Sequence, residues 1–179
     1  MLGAGGGLEL DLFCRLRPKW TFIGIDPSAA MLDMAKTQLG ERGHRVKWVE
    51  GYIADAPAKN CDGGSCLFTL HAIADYGIKL ETLKEIRSRL KPGAPFIIAD
   101  SSFDFHDSDI KDKQTMRYAQ FAQDSGASET EIEQGLSMVE KLASTISPQR
   151  EEALLHEAGF SQIELIFVAL SWHGWVCRA

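Results

Sequence analysis

At 179 residues the chain has the length of one domain, and 45% apolar with 25% charged residues is a balance that fills a core. Nineteen basic against twenty-five acidic side chains leave a net charge of −6, which disfavours a protein that tracks nucleic-acid phosphates. No apolar run approaches the roughly 20 residues of a membrane helix, and the glycine cluster from Met1 to Gly7 lacks the basic start and apolar stretch of a secretory signal.

The first two-thirds alternates short apolar runs with helix-period segments, the pattern of βα units around a parallel sheet. After the glycines a helical pattern begins at Leu8. Thr21-Phe22-Ile23-Gly24-Ile25-Asp26 reads as a buried strand. Ser28 caps a helix that turns Met31, Leu32, Met34, Ala35 and Leu39 inward, and Gly40 and Gly43 stop it. Val46-Lys47-Trp48-Val49 is a second strand and residues 65–70 a third, with His71 at its end. An amphipathic helix over residues 80–90, closed by Lys91-Pro92-Gly93, precedes a fourth strand over residues 96–100.

Beyond Asp100 the texture changes. Residues 101–112 read as a polar loop holding Phe103, Phe105 and His106, and residues 113–124 and 128–143 as helices, the latter opened by a Ser128–Glu131 capping box. Ser147-Pro148 starts a third helix, and residues 163–170 and 172–177 form a closing pair of strands. The whole, residues 1–179, is expected to be one α/β domain with a helical insertion over about residues 101–145. Cys14, Cys61, Cys66 and Cys177 are scattered without a CxxC pattern, which predicts free thiols, no metal site and a reducing cytoplasm.

Two features carry chemistry. Gly3-Ala4-Gly5-Gly6-Gly7 at the mouth of a helix lets a ligand touch the main chain and aims N–H groups at it. Asp26 stands at the carboxyl end of the next strand, about 20 residues on, where an acidic side chain accepts both hydroxyls of a ribose. Strand, acid, capped helix and glycine turn together point to a nucleoside site.

Leu2-Gly-x-Gly-x-Gly, then Gly24-Ile-Asp-x-Ser-x-x-Met-Leu32, then Leu90-Lys-Pro-Gly-Ala94 before a strand resembles a class I S-adenosylmethionine-dependent methyltransferase. Cys66-Leu-Phe-Thr-Leu-His71, Glu129-x-Glu-Ile-x-Gln134, Ser137-Met138 and Leu155-His-x-Ala-Gly-Phe160 are similar to its carboxy-S-adenosylmethionine synthase branch. The resemblance implies a Rossmann-like sheet, mostly parallel with an antiparallel last strand, S-adenosylmethionine as cofactor, and a homodimer assisted by the C-terminal half. It places Gly3, Ala4 and Gly5 on the methionine portion of the cofactor, Asp26 and Pro27 on the ribose and adenosine, and Met31, Tyr52 and Ile53 around the adenine. Tyr52 stands where the family has an acid, which Asp55 could replace. Leu67 replaces an Asn that touches the cofactor. Leu136 stands where the branch carries an Arg for the extra carboxylate; losing a charge-assisted bond is worth about 1.5–3 kcal/mol. Arg150 or Lys141 could compensate. The reading is a methyltransferase with a small-molecule acceptor; the alternatives are a carboxy-S-adenosylmethionine synthase-like enzyme and a degenerate binding module.

His71 is the candidate base or acceptor-binding group, with His106, Tyr118 and Trp172 as lining residues. Met116, Tyr118, Phe121 and Met138 of the insertion are candidates for an apolar acceptor pocket or a dimer contact. His44, between Gly43 and Arg45, reads as a solvated turn. The family places a central strand ahead of the glycine turn, ending in an acid whose place Met1 takes. The expectation is a truncated start with that strand missing and weak cofactor binding.

Overall fold

The computed structural model describes residues 1–57, 60–141 and 144–179, and side chains outside 138–141. Strands β1 (Phe22–Asp26) and β2 (Val46–Glu50) pair in parallel, from Phe22 against Val46 to Asp26 against Glu50. A second group, ordered β3–β4–β6–β5, comprises β3 (Gly64–Leu67), β4 (Pro95–Ser101), β5 (Ser161–Ala169) and β6 (Trp172–Arg178). β3 and β4 are parallel, whereas β6 runs antiparallel to both β4 and β5.

At the carboxyl ends of β1 and β3 the first residues of the chain stand between the two groups. Leu2 bridges Ile25 of β1 and Cys66 of β3, both in parallel. Leu2 N–H donates to Ser65 O at 3.0 Å, and Ile25 N–H donates to Met1 O at 3.0 Å. There the first residues of the chain satisfy backbone groups of β1 and β3 that would otherwise face each other unpaired in the interior. The direction of every strand except β6 is therefore the same. Towards the amino ends of β1 and β3 the seam continues as an apolar cleft lined by Met1, Ile23, Ile53 and Leu90.

Alternation along β1 assigns the two faces. Phe22 and Gly24 meet the cluster built on Ala4, Leu10, Cys14, Leu32, Leu39 and Val46, under α1 (Leu8–Leu16) and α2 (Ala29–Leu39). Ile23 and Ile25 meet the larger cluster of Leu83, Ile86, Phe96, Ile98, Leu154, Leu155 and Trp175, under α3 (Ile78–Ser88) and α6 (Pro148–Glu157). Successive strand side chains point to opposite faces, so helices cover the sheet on both sides. Each fully buried leucine contributes about 1.5–3 kcal/mol by leaving water.

Between α3 and α6 lies a sealed ion pair. Lys79 Nζ stands 3.3 Å from Glu151 Oε1, both side chains are fully buried, and the ammonium also donates to Ser144 O at 3.2 Å. Burial pushes the Glu151 carboxyl up to about 7, against the opposing pull of Lys79.

The insertion consists of α4 (Ser108–Asp124) and α5 (Glu129–Lys141), packed on each other. α4 starts earlier than its apolar pattern suggests because the Asp107 carboxylate accepts the Ile110 N–H at 3.1 Å. The Ser128–Glu131 capping box is present, with Glu131 Oε2 accepting from Ser128 N–H at 2.8 Å. Ala143, read as the end of that helix, lies outside the described residues. The four cysteines are free. No helix among the described residues is long and apolar enough to cross a membrane.

Candidate functional site

The carboxyl edge of the sheet gathers two turns, each held by an acid that ends a strand. Asp26 ends β1 and is 8% exposed. Its Oδ2 accepts the Gly5 N–H at 2.9 Å and its Oδ1 accepts the Ser28 N–H at 2.9 Å. One carboxylate thus fixes both the glycine turn and the start of α2, and each oxygen keeps a second acceptor position. Gly3 and Ala4 N–H groups both donate to Ile25 O at 2.9 Å.

The turn demands glycine at two places for different reasons. Gly3, at φ +73°, lies so close to the turn after β3 that an added Cβ would sit 1.9 Å from Thr69 Oγ1. Gly5, at φ +47°, faces the other way: an added Cβ there meets nothing nearer than Gly3 O at 3.8 Å, and at Gly6 nothing within 4 Å. Open space therefore lies beside the Asp26 carboxylate. Gly7 begins α1 without a side-chain cap, so the first-turn N–H groups keep the positive end of the helix dipole free.

The remaining residues proposed for the cofactor distribute unequally. Ala4 is fully buried in the α1–α2 cluster and offers the turn only its backbone. Pro27 is exposed, and Met31, 44% exposed, donates its N–H to Ser28 Oγ at 3.3 Å. Gly51 N–H donates to Asp26 O, which brings the loop after β2 beside the acid. Tyr52 in that loop is 68% exposed. Ile53 packs against the main core. The Asp55 carboxylate turns back onto the Tyr52 N–H at 2.8 Å. Leu67 is half-buried at the end of β3.

The second turn differs from its reading in the sequence. The third strand stops at Leu67 instead of reaching Leu70: Phe68 adopts φ +54°, and Leu70–Ala72 wind into a single 3₁₀ turn. The cause is Asp100 on β4, fully buried. Its Oδ2 accepts the Leu70 N–H at 2.9 Å and its Oδ1 accepts the His71 N–H at 3.2 Å. His71 Nδ1 closes onto the same Oδ1. His71 is thus in the turn after the strand, not at the strand's end. Its imidazole meets the Trp172 ring edge-on at 5.9 Å, and Phe68, half-exposed, meets the same ring at 4.9 Å.

Tyr118 OH lies 3.1 Å from Ser171 Oγ, which lies 3.0 Å from Ser101 Oγ, tying α4 to the ends of β4 and β6. Burial pushes the Tyr118 phenol up. Met116 and Phe121 are mostly exposed on α4, and Met138 lies outside the described side chains. His106 is exposed in the loop before α4. His44 is exposed too, its ring held to Glu41 O at 2.6 Å. Arg150 is engaged by Asp75 at 2.9 Å and Glu157 at 2.8 Å; the Lys141 side chain is outside the described set. Sequence reasoning passed over Asp100 and Phe68. An acid closing a buried strand, the pattern that singles out Asp26, was the available signal for Asp100.

A mostly parallel sheet with helices on both faces, a glycine turn and an acid at the next strand's end define a Rossmann-like protein. Residues 1–93 match the family model described as a methyltransferase domain, and the chain belongs to that family. It is similar to the carboxy-S-adenosyl-L-methionine synthase of Klebsiella pneumoniae, 28% identical over 152 residues, covering 84% of this chain and 61% of that protein. The chain spans about three-fifths of the length of the curated relatives it matches. Among solved structures, PigF with SAH superposes with a TM-score of 0.68 at 20% identity, over 99% of this chain and 49% of that one. A SAM-dependent methyltransferase of Aquifex aeolicus does so with a TM-score of 0.66 at 18% identity, over 99% and 79%.

Proposed function

We propose that this chain transfers a methyl group from S-adenosylmethionine to a small-molecule acceptor. The observation that carries the reading is the Asp26 carboxylate, bonded to Gly5 N–H and Ser28 N–H beside the open side of the glycine turn. Two free acceptor positions on neighbouring oxygens match the two hydroxyls of a ribose. Gly3, Ala4 and Gly5 would hold the methionine portion, Asp26 and Pro27 the ribose and adenosine, Met31, Tyr52 and Ile53 the adenine, and Leu67 the sulfonium side. When bound, the cofactor supplies a methyl group already activated for in-line displacement. The protein's task is alignment, which can supply several kcal/mol of the barrier. His71, one turn from the Thr69 that packs on Gly3, is assigned to the acceptor.

The names of the curated relatives support carboxy-S-adenosylmethionine synthesis as the second reading. Leu136 in place of a cation, and Arg150 occupied by Asp75 and Glu157, weigh against it. A cytoplasmic homodimer completes the proposal. The edge strand β5 supports the dimer, because it leaves Leu165, Ile166, Phe167 and Val168 each about half-exposed. Mass spectrometry of ligand carried through purification tests the function: S-adenosylmethionine or its demethylated product is expected. A species heavier by a carboxylate points to the second reading, and calorimetry without binding overturns both.

A further inference from the structure

We infer that the site holds the nucleobase of its cofactor by the faces and leaves the exocyclic 6-position unread, so that it takes sulfonium nucleosides whose purine is altered or enlarged there. The inference rests on the methyltransferase reading and names the cofactor class of that same site.

The direction of the base follows from the order of elements along the carboxyl edge. Asp26 stands between the glycine turn, bonded through Gly5 N–H, and the loop after β2, whose Gly51 N–H donates to Asp26 O at 3.1 Å. A ribose on the Asp26 carboxylate with its sulfonium arm on the glycine turn therefore sends its base toward residues 51–56. Acceptors that an exocyclic amino group would need are spent there on the protein itself. Asp55 Oδ2 accepts the Tyr52 N–H at 2.8 Å, and Tyr52 O accepts the Asp55 N–H at 3.0 Å. Ile53 O accepts the Ala56 N–H at 3.1 Å. Ala54 O and Ala56 O accept from the Arg89 guanidinium at 3.1 and 3.3 Å.

The acid of the loop is bound inside it. At Gly51, φ +147°, an added Cβ would sit 2.4 Å from Asp55 Oδ2 and 3.0 Å from Asp55 Cγ, so the carboxylate fills the space that a side chain there would need. Glu50 alternates with Val46 and Trp48 onto the α1–α2 face. What the loop offers outward is a ring, since Tyr52 is 68% exposed. Met31 adds a second exposed apolar side chain, in the first turn of the helix that Asp26 fastens through Ser28 N–H. An aromatic ring stacks on any base, because every base presents a π-face whatever its edge carries. Recognition by faces leaves the substituent on the edge free to change.

Calorimetry of the full chain with three demethylated cofactors tests this: S-adenosylhomocysteine, its N6-benzyl derivative, and the analogue with hydrogen in place of the 6-amino group. All three should bind within about threefold of one another, whereas a carboxylate reading the amino group would cost the 6-hydrogen analogue about 10–10²-fold. A loss of that size, or exclusion of the N6-benzyl derivative, overturns the inference without any variant. Y52A should weaken all three alike by about 5–10²-fold, the worth of a base stacked on an aromatic ring, and Y52F should not. A folded Y52A that binds like the wild type overturns the role of the ring. Failure to bind S-adenosylhomocysteine itself overturns the methyltransferase reading and this inference with it; selective loss of an analogue overturns this inference alone.

Discussion

Asp26 and Asp100 close two strands of one sheet and use the same device, a carboxylate accepting the amides of the turn that crosses it. They differ in what occupies the remaining acceptor positions. Beside Asp26 lies open space next to Gly5 and Gly6; on Asp100 the third partner is the imidazole of His71. On the proposed function one acid is left to hold a ligand, while the other holds a side chain. Burial alone does not tell the two acids apart, since both are buried. The unfilled lone pairs do.

The sharpest way to break this comparison is to remove what each acid holds. H71Q should lower methyl transfer by about 10²–10⁴-fold, the usual worth of a positioned base. D100N should approach that loss, and the double variant should be no worse than H71Q, read as S-adenosylhomocysteine release. D26A should weaken S-adenosylmethionine by roughly 10–10²-fold in calorimetry, the worth of charge-assisted bonds of about 1.5–3 kcal/mol. If D26A binds normally while D100A does not, the two roles are reversed.

Stability separates the two sides further. Leu10, fully buried between α1 and β1, should cost about 2–5 kcal/mol in denaturant titration as Leu10→Ala. The smallest effect expected is one of pH. Glu151 is raised from 4.5 to about 7 by burial, with Lys79 opposing and Asp100 and Asp75 reinforcing the rise. Between those values the folded chain holds a proton that the unfolded chain has released, so stability should fall as pH rises through that window. Thermal melts of E151Q should show a flatter dependence there, because the amide has no proton to lose.

The geometry around the glycine turn was largely legible in the sequence because its signals are local. Ser28 caps α2, Gly5 and Asp26 lie one βα unit apart, and the parallel pairing of β1 with β2 follows from two short apolar runs. The geometry around His71 was not. The end of β3 is decided by Asp100, 29 residues beyond His71, and the run Cys66 to Leu70 reads as extended until that carboxylate takes its amides. Trp172 reaches the same corner from β6, over 100 residues later in the chain than His71. At the centre of the sheet a single residue, Leu2, bridges both neighbours near their carboxyl ends, a contact too short to register as a strand in the sequence.

The left-handed backbone at Phe68 sets durability against purpose. Glycine there would relax the main chain by roughly 1–2 kcal/mol and make a hardier protein with a blunter site. A programme that selects variants for heat tolerance alone would be drawn to this position, and would erase the ring that meets Trp172.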